Sequence, residues 1–210
     1  MEKKNLGFDL LEIMDAFLLN ENENCTHLAD WINATNEFND FEKQIIDDLH
    51  LEIETSGEYM NEEELKTKIV GLIFYVAKIQ VPKKVMLFFE RPMSAEINSI
   101  SLSVICDCIV ATPRANAPKM PYFFLQEFKK KKGEKKDPEA QMLTAMLIAQ
   151  AKNNDDKPVY GAYLIGSSWR FTTLVGNDYC TSSLFEATQK AQLIQIISIL
   201  RKLREIIINR

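Results

Sequence analysis

Residues 99–112 read SISLSVICDCIVAT, an apolar, β-branched run with one charge, Asp107, inside it. This composition predicts a strand of a sheet. Side chains alternate across a strand, so Ser101, Ser103, Ile105, Asp107 and Ile109 are expected on one face, with Cys106 and Cys108 on the other. A carboxylate in such a run is costly to bury unless a cation or a hydrogen-bond donor compensates it. Asp107 therefore reads either as a metal ligand or as an edge residue bonded to backbone amides.

The neighbouring segments extend the sheet. VMLFFE (85–90) predicts a strand before this one, and YFFLQEFK (122–129) a strand after it. Pro113, Pro118 and Pro121 predict a loop between the second and third strands. In the third strand Phe123, Leu125, Glu127 and Lys129 share a face, so Glu127 and Lys129 leave together from the end of an apolar row. They read either as a same-face salt bridge or as half of a catalytic site. Lys129 opens a basic run, with Lys130, Lys131, Lys132, Lys135 and Lys136 around Glu134. Such a run is either a solvated loop or a surface that contacts phosphates without sequence preference. Arg114, Lys119 and Arg170 are candidates to extend it. Trp169, Tyr160 and Tyr163 are expected in packing rather than base stacking.

Helical periodicity marks the flanks. Leu6, Leu10, Ile13 and Phe17 recur at helical spacing over 5–19, as do Phe38, Phe41, Ile45 and Leu49 over 36–50. Asn61 is placed to cap a helix with Glu62, Glu63 and Glu64 in its first turn. Its inward stripe is Leu65, Ile69, Leu72, Ile73 and Val76, and Glu58 and Glu62 fall on that side. Asp137-Pro138 starts another helix, running to about Asn153. Residues 157–176 predict a strand or a hairpin broken near Gly166. Residues 184–208 predict a final helix, with Leu193, Ile197, Leu200, Leu203 and Ile207 either packed on the sheet or forming a homodimer seam. The order of elements predicts a mixed α/β (α+β) domain with a central sheet flanked by helices.

The net charge of −5 is unevenly spread: residues 1–64 sum to −15 and residues 65–210 to +10. This asymmetry predicts a basic working surface in the second part. No apolar run reaches the roughly 20 residues of a membrane span. Acids at Asp9, Glu12 and Asp15 interrupt the N-terminal apolar segment, which reads as an amphipathic helix rather than a signal peptide. Cys25, Cys106, Cys108 and Cys180 are too sparse for a disulfide framework and fit no zinc spacing. A reducing, cytoplasmic setting is the expectation.

If the second and third strands are neighbours, Asp107, Glu127 and Lys129 meet. Two close carboxylates repel, and a hard divalent cation such as Mg²⁺ removes that repulsion. With Asp107 in its apolar strand, the Glu127–Phe128–Lys129 triplet in the next and DPEAQMLTAMLIAQ as the following helix, residues 61–175 resemble the PD-(D/E)XK (restriction-endonuclease-like) nuclease superfamily. The resemblance implies a restriction-endonuclease-like core over 61–210 that includes the final helix. Residues 1–60 would form an acidic helical extension packed on it within one domain. It implies a Mg²⁺- or Mn²⁺-dependent endo- or exodeoxyribonuclease, with Asp107 and Glu127 on the metal and Lys129 acting on the attacking water. Glu62 and Gln141 are the accessory positions that it suggests. Cys106 stands where the motif has proline. Ala145 stands where the exonuclease-type Gln-x-x-x-Tyr motif has tyrosine. The alternative is a catalytically inactive module of the same fold that binds nucleic acid or a protein partner.

Overall fold

The computed structural model describes residues 9–129 and 137–209, with the backbone alone for 123–127 and 129. The chain opens with α1 (Leu10–Phe17), the short β1 (Asn20–Glu21), α2 (Thr26–Ile32) and α3 (Asp40–Ser56). After a 3₁₀ turn at Gly57–Tyr59 come α4 (Glu62–Glu64), a π-helical segment (Leu65–Val70) and α5 (Gly71–Ala77), one after another without a break. The central part is β2 (Met86–Ile97), β3 (Ile100–Arg114), β4 (Ala117–Lys129), α6 (Pro138–Asn153) and β5 (Val159–Ile165). The chain continues through β6 (Ser168–Val175), β7 (Asp178–Thr181), β8 (Phe185–Glu186) and α7 (Lys190–Ile208).

The described strands form one mixed sheet in the order β1-β7-β6-β5-β4-β3-β2, with β8 pairing to β6. β2, β3 and β4 are an antiparallel meander, and α6 carries the chain from β4 to the parallel strand β5. The molecule is therefore a mixed α/β domain whose central sheet is flanked by helices. One core holds Leu28 and Trp31 of α2, Ile46, Leu49 and Ile53 of α3, and the buried stripes of α5 and α7. The other, across the sheet, holds Ile13 and Phe17 of α1 and the apolar residues of α6. Burial of these faces, at about 25 cal/mol per Å² of apolar surface, is the main term holding the layers together.

Local signals place most of these ends. Asn61 and Glu64 form a capping box, the Asn61 side chain accepting from the Glu64 amide and the Glu64 carboxylate from the Asn61 amide. Asp137 caps α6, with Pro138 at its first position. Gly166 turns β5 into β6 at a φ of 61°, so residues 157–176 are a hairpin.

Several expectations are corrected. Leu6 lies outside the described residues, and α2 carries too short an apolar pattern to have been anticipated. β2 does not stop at Glu90 but runs on to Ile97 through Pro92, which an edge strand tolerates. The prolines expected in a loop instead lie in strands: Pro113 pairs with Pro118 near the tip of the β3–β4 hairpin. That tip projects beyond its neighbours, because β2 begins at Met86 opposite Ala111 and β5 first pairs at Phe124. No outer ladder needs the missing amides there. The α7 stripe is buried within the chain, so the seam offered for a homodimer is taken up by the core.

Cys25, at the start of α2, is joined to Cys180 of β7 by a disulfide, with Cα atoms 6.1 Å apart. The sequence pattern did not anticipate this bridge, because two cysteines 155 residues apart carry no spacing signal.

Candidate functional site

The sheet forks at Asp107. The β3–β4 ladder runs down to the pair Cys108–Gln126. Beyond it β3 stays with β2 as far as Ile97–Ile100, while β4 stays with β5 as far as Lys129–Ile165. Asp107 sits in the angle of this fork. Its Oδ2 accepts from the Phe128 amide at 2.8 Å, a bond that the diverging ladder no longer supplies.

The fork also breaks the alternation of β3. Cys106 and Ile109 pack in the α6-side core, whereas Cys108 packs in the core of α5 and α7. Asp107 reaches a lysine of the helix on that second side, so Asp107 and Cys108 turn toward the same layer. The expectation that Cys108 faces away from Asp107, and that Ile109 shares its face, is thereby corrected. An irregular stretch where two ladders part is what strict period-2 counting misses.

The lysine is Lys66, in the π-helical segment that begins one residue before it. Its side chain is only 9% exposed. Its Nζ donates to Glu90 Oε1 at 2.6 Å and to Asp107 Oδ1 at 3.2 Å, and it lies 3.1 Å from Glu62 Oε1 and 3.9 Å from Glu63 Oε1. It also stands 5.5 Å from the centroid of the Phe128 ring. Glu62 and Asp107 thus contact the same ammonium.

Glu90 and Lys66 were not singled out in the sequence. Phe89 pairs with Cys108 and Arg91 with Cys106, so Glu90 stands opposite Asp107. Its φ is 51°, a left-handed backbone in mid-strand for a residue with a side chain. The available signal for Lys66 was its spacing: Glu62 and Lys66 are an i,i+4 acid–base pair on one helix face. Glu90 carried no signal beyond ending an apolar run.

Burial alone would lower the Lys66 pKa, but the bonds to Glu90, Asp107 and Glu62 outweigh it and raise it. Asp107 is pushed up, chiefly by burial, with the Glu90 charge adding; the Phe128 amide and Lys66 act against this. One ammonium is shared among several acids, so Asp107, a deeply buried member of the set, is left under-compensated.

Glu127 and Lys129 are placed by their backbones. β4 continues past Gln126, so Glu127 is the next residue after the last β3 pair, and it pairs with Tyr163 of β5. Their side chains, and all of Lys130, Lys131, Lys132, Lys135 and Lys136, lie outside the described residues. Gln141 is buried on α6, whose apolar residues form the other core, so it is not part of the Lys66 cluster. Arg114 lies near the far tip of the hairpin, roughly 23 Å along β3 from Asp107 at about 3.3 Å per residue. Arg114 and Lys119 therefore stand at the opposite end of the hairpin from Lys129.

A second polar group lies at the start of α6. Tyr163 donates to Glu139 Oε2 at 2.9 Å, and Thr181 donates to Oε1 at 3.4 Å. Arg170 is the register partner of Tyr163 on β6. Burial raises the Glu139 carboxyl, Asp137 and Glu21 add to that, and the Tyr163 hydroxyl and Arg170 oppose it.

Trp169 and Tyr160 are buried and Trp31 meets the edges of Tyr160 and Phe171, which is packing rather than a stacking platform. A cavity of about 400 Å³ lies between Leu65, Ile69, Leu164 and Trp169. Its one charged lining residue is the acid Glu58, so it does not suit a phosphate. Among the described residues no group of three or more His, Cys, Asp or Glu side chains is poised to hold a metal ion. Glu62, Glu90 and Asp107 reach for the Lys66 ammonium instead. No described helix is long and apolar enough to cross a membrane. No protein-family model matches this chain, and no curated protein matches it.

Proposed function

We propose that this protein is a metal-dependent nuclease-like domain that hydrolyses phosphodiester bonds in DNA. The observation that carries the reading is the fork. It sets Asp107 between two diverging ladders, with Glu127 next along β4 and Glu62 of the preceding helix reaching the same cluster. The helix–β2–β3–β4–α6–β5 order is the one that the PD-(D/E)XK resemblance requires.

Carboxylate oxygens are the ligands that a hard cation takes. Asp107, Glu62 and Glu90 offer carboxylate oxygens, and they already gather around a positive charge. Asp107 and Glu127 are the residues that would hold Mg²⁺ or Mn²⁺, which supplies charge neutralisation at the phosphate and a more acidic water. Lys129, at the end of β4, would orient that water or take its proton. The Phe128 amide fixes one Asp107 oxygen. Lysines 130–132, 135 and 136 follow directly in sequence and would contact the DNA backbone in a salt-dependent way. A cytoplasmic setting belongs to this reading. There the reducing thiol pool would bear on the Cys25–Cys180 bridge.

The test is incubation of the purified protein with DNA and Mg²⁺ or Mn²⁺. Cleavage is expected, with a loss of about 100-fold or more in Asp107→Ala, Glu127→Ala and Lys129→Ala. Cleavage that persists unchanged in the last two variants would overturn the assignment of those residues.

A second reading has its own support. The Lys66 ammonium already offsets part of the charge of Asp107, Glu62 and Glu90 without any metal. An inactive module of this fold, binding nucleic acid or a protein partner, needs nothing more. It is favoured if DNA is bound but not cut and calorimetry detects no Mg²⁺ or Mn²⁺.

A further inference from the structure

We propose that Lys66 is a built-in cation occupying the seat that a divalent ion must take, held there by Glu90, so that metal entry requires the ammonium to leave Asp107. The inference rests on the nuclease-like reading of the fork and adds to it two residues that the family motif does not supply.

Three observations on different elements point to it. Lys66 is nine-tenths buried, yet its Nζ lies within 3.2 Å of oxygens from α4, β2 and β3, among them Asp107 of the fork. It sits in a π-helical segment, a rare geometry that is frequently found at functional sites. Glu90, which makes the shortest of the three contacts, holds a left-handed backbone opposite Asp107, an arrangement that costs free energy in an otherwise regular ladder. The three donors of the ammonium are taken by acids from three different elements, Glu62, Glu90 and Asp107. Two backbone irregularities converging on one ammonium, at the position where the sheet forks, fit a residue that must both fill the site and vacate it.

A buried ammonium about 3 Å from a carboxylate opposes a second cation at the same oxygens. The long lysine stem allows the head group to swing out while its methylenes stay packed. Lys66 would then move toward solvent or toward a phosphate oxygen, and Asp107 would be released to a metal without being exposed as a bare buried charge.

The experiment uses the full chain and Mn²⁺ alone. In the wild type, amine acylation of Lys66 read by mass spectrometry is expected to rise at least about threefold at saturating Mn²⁺, because the displaced head group gains water access. Lys66→Met is expected to bind Mn²⁺ about tenfold or more tightly than the wild type, with its lowered thermal midpoint restored by the ion. Lys66→Arg, which keeps the charge, is expected to bind no more tightly than the wild type. Lys66 that stays protected at saturating Mn²⁺ overturns the proposal. So does a Lys66→Met protein that binds Mn²⁺ no more tightly than the wild type. If Lys66→Met does not fold, the wild-type labelling decides alone. DNA cleavage by the wild type with Lys66 unmoved removes this inference and leaves the nuclease reading. Tight Mn²⁺ binding by Lys66→Met with no cleavage by any form removes the nuclease reading and leaves the inference.

Discussion

Lys66 Nζ lies 3.2 Å from Asp107 Oδ1, and the Phe128 amide lies 2.8 Å from the other oxygen of the same carboxylate. Asp107 is therefore fixed from a helix on one side and from the adjoining strand on the other. Asp107→Ala removes both acceptors and leaves a buried amide unsatisfied. It is expected to cost about 3 kcal/mol in urea unfolding. Asp107→Asn keeps an oxygen for the Phe128 amide and is expected to cost about half as much. Equal losses in the two variants would show that the amide bond contributes nothing.

Glu42 ties three helices. Its Oε1 is 2.8 Å from Arg201 of α7 and 2.7 Å from Lys78 at the end of α5, and its own helix, α3, is capped through the Asn39 amide. Glu42→Ala is expected to destabilise by about 3 kcal/mol, because the partly buried Arg201 loses its carboxylate partner and keeps the Glu37 and Val76 carbonyls.

The same residue sets an acid limit. Burial would raise the Glu42 carboxyl, but the Lys78 and Asn39 bonds and the Arg201 charge hold it below its ordinary 4.5. A lowered folded value means that the unfolded chain takes up the proton first. The stabilisation is thus complete above 4.5 and is lost as pH falls through the folded value. Urea midpoints from about pH 7 to pH 3 are expected to fall more steeply in the wild type than in Glu42→Gln.

Glu139 has the opposite sign. Its carboxyl is raised above 4.5, so the folded protein still holds the proton where the unfolded chain has released it. Stability then declines as pH rises from 4.5 through the folded value. Glu139→Gln keeps an acceptor for Tyr163 and removes the charge. The variant is expected to gain on the wild type at neutral pH and to match it below about pH 4, measured by the same unfolding midpoints. A gain that is independent of pH would assign the effect to packing.

The Cys25–Cys180 bridge closes a loop of 155 residues between α2 and β7. The chain-entropy model gives such a loop up to about 5 kcal/mol, and measured values are usually about 2–4. Reduction, or Cys25→Ser, is expected to lower stability by that smaller amount, read by thermal unfolding with and without dithiothreitol. A thiol count of four free cysteines in the non-reduced protein would contradict the bridge.

Much of the architecture was legible because it is written locally. The stripe Leu193–Ile197–Leu200–Leu203 needed only the helical period, and the start of α6 needed only Asp137-Pro138. The β3 run announced itself by composition. Its face assignment held for Cys106 and failed at Cys108 because a fork in the sheet resets the alternation, and a fork is a property of three strands rather than one. The prolines misled for a related reason: whether Pro113 and Pro118 harm a strand depends on which neighbours reach that far.

The amino-acid sequence by itself determined that this chain alternates helical and strand segments around an apolar sheet, with one aspartate set inside an apolar strand. Short-range spacing and the hydrophobic effect suffice for that. The tertiary structure decided what Asp107 meets. Lys66 is 41 residues away, Glu90 is 24 residues from Lys66, and their meeting depends on strand register, a π-helical segment and a left-handed residue in an edge strand. Such distant pairings form only when the whole sheet and its covering helices close together, since no local preference favours bringing several acids to one ammonium.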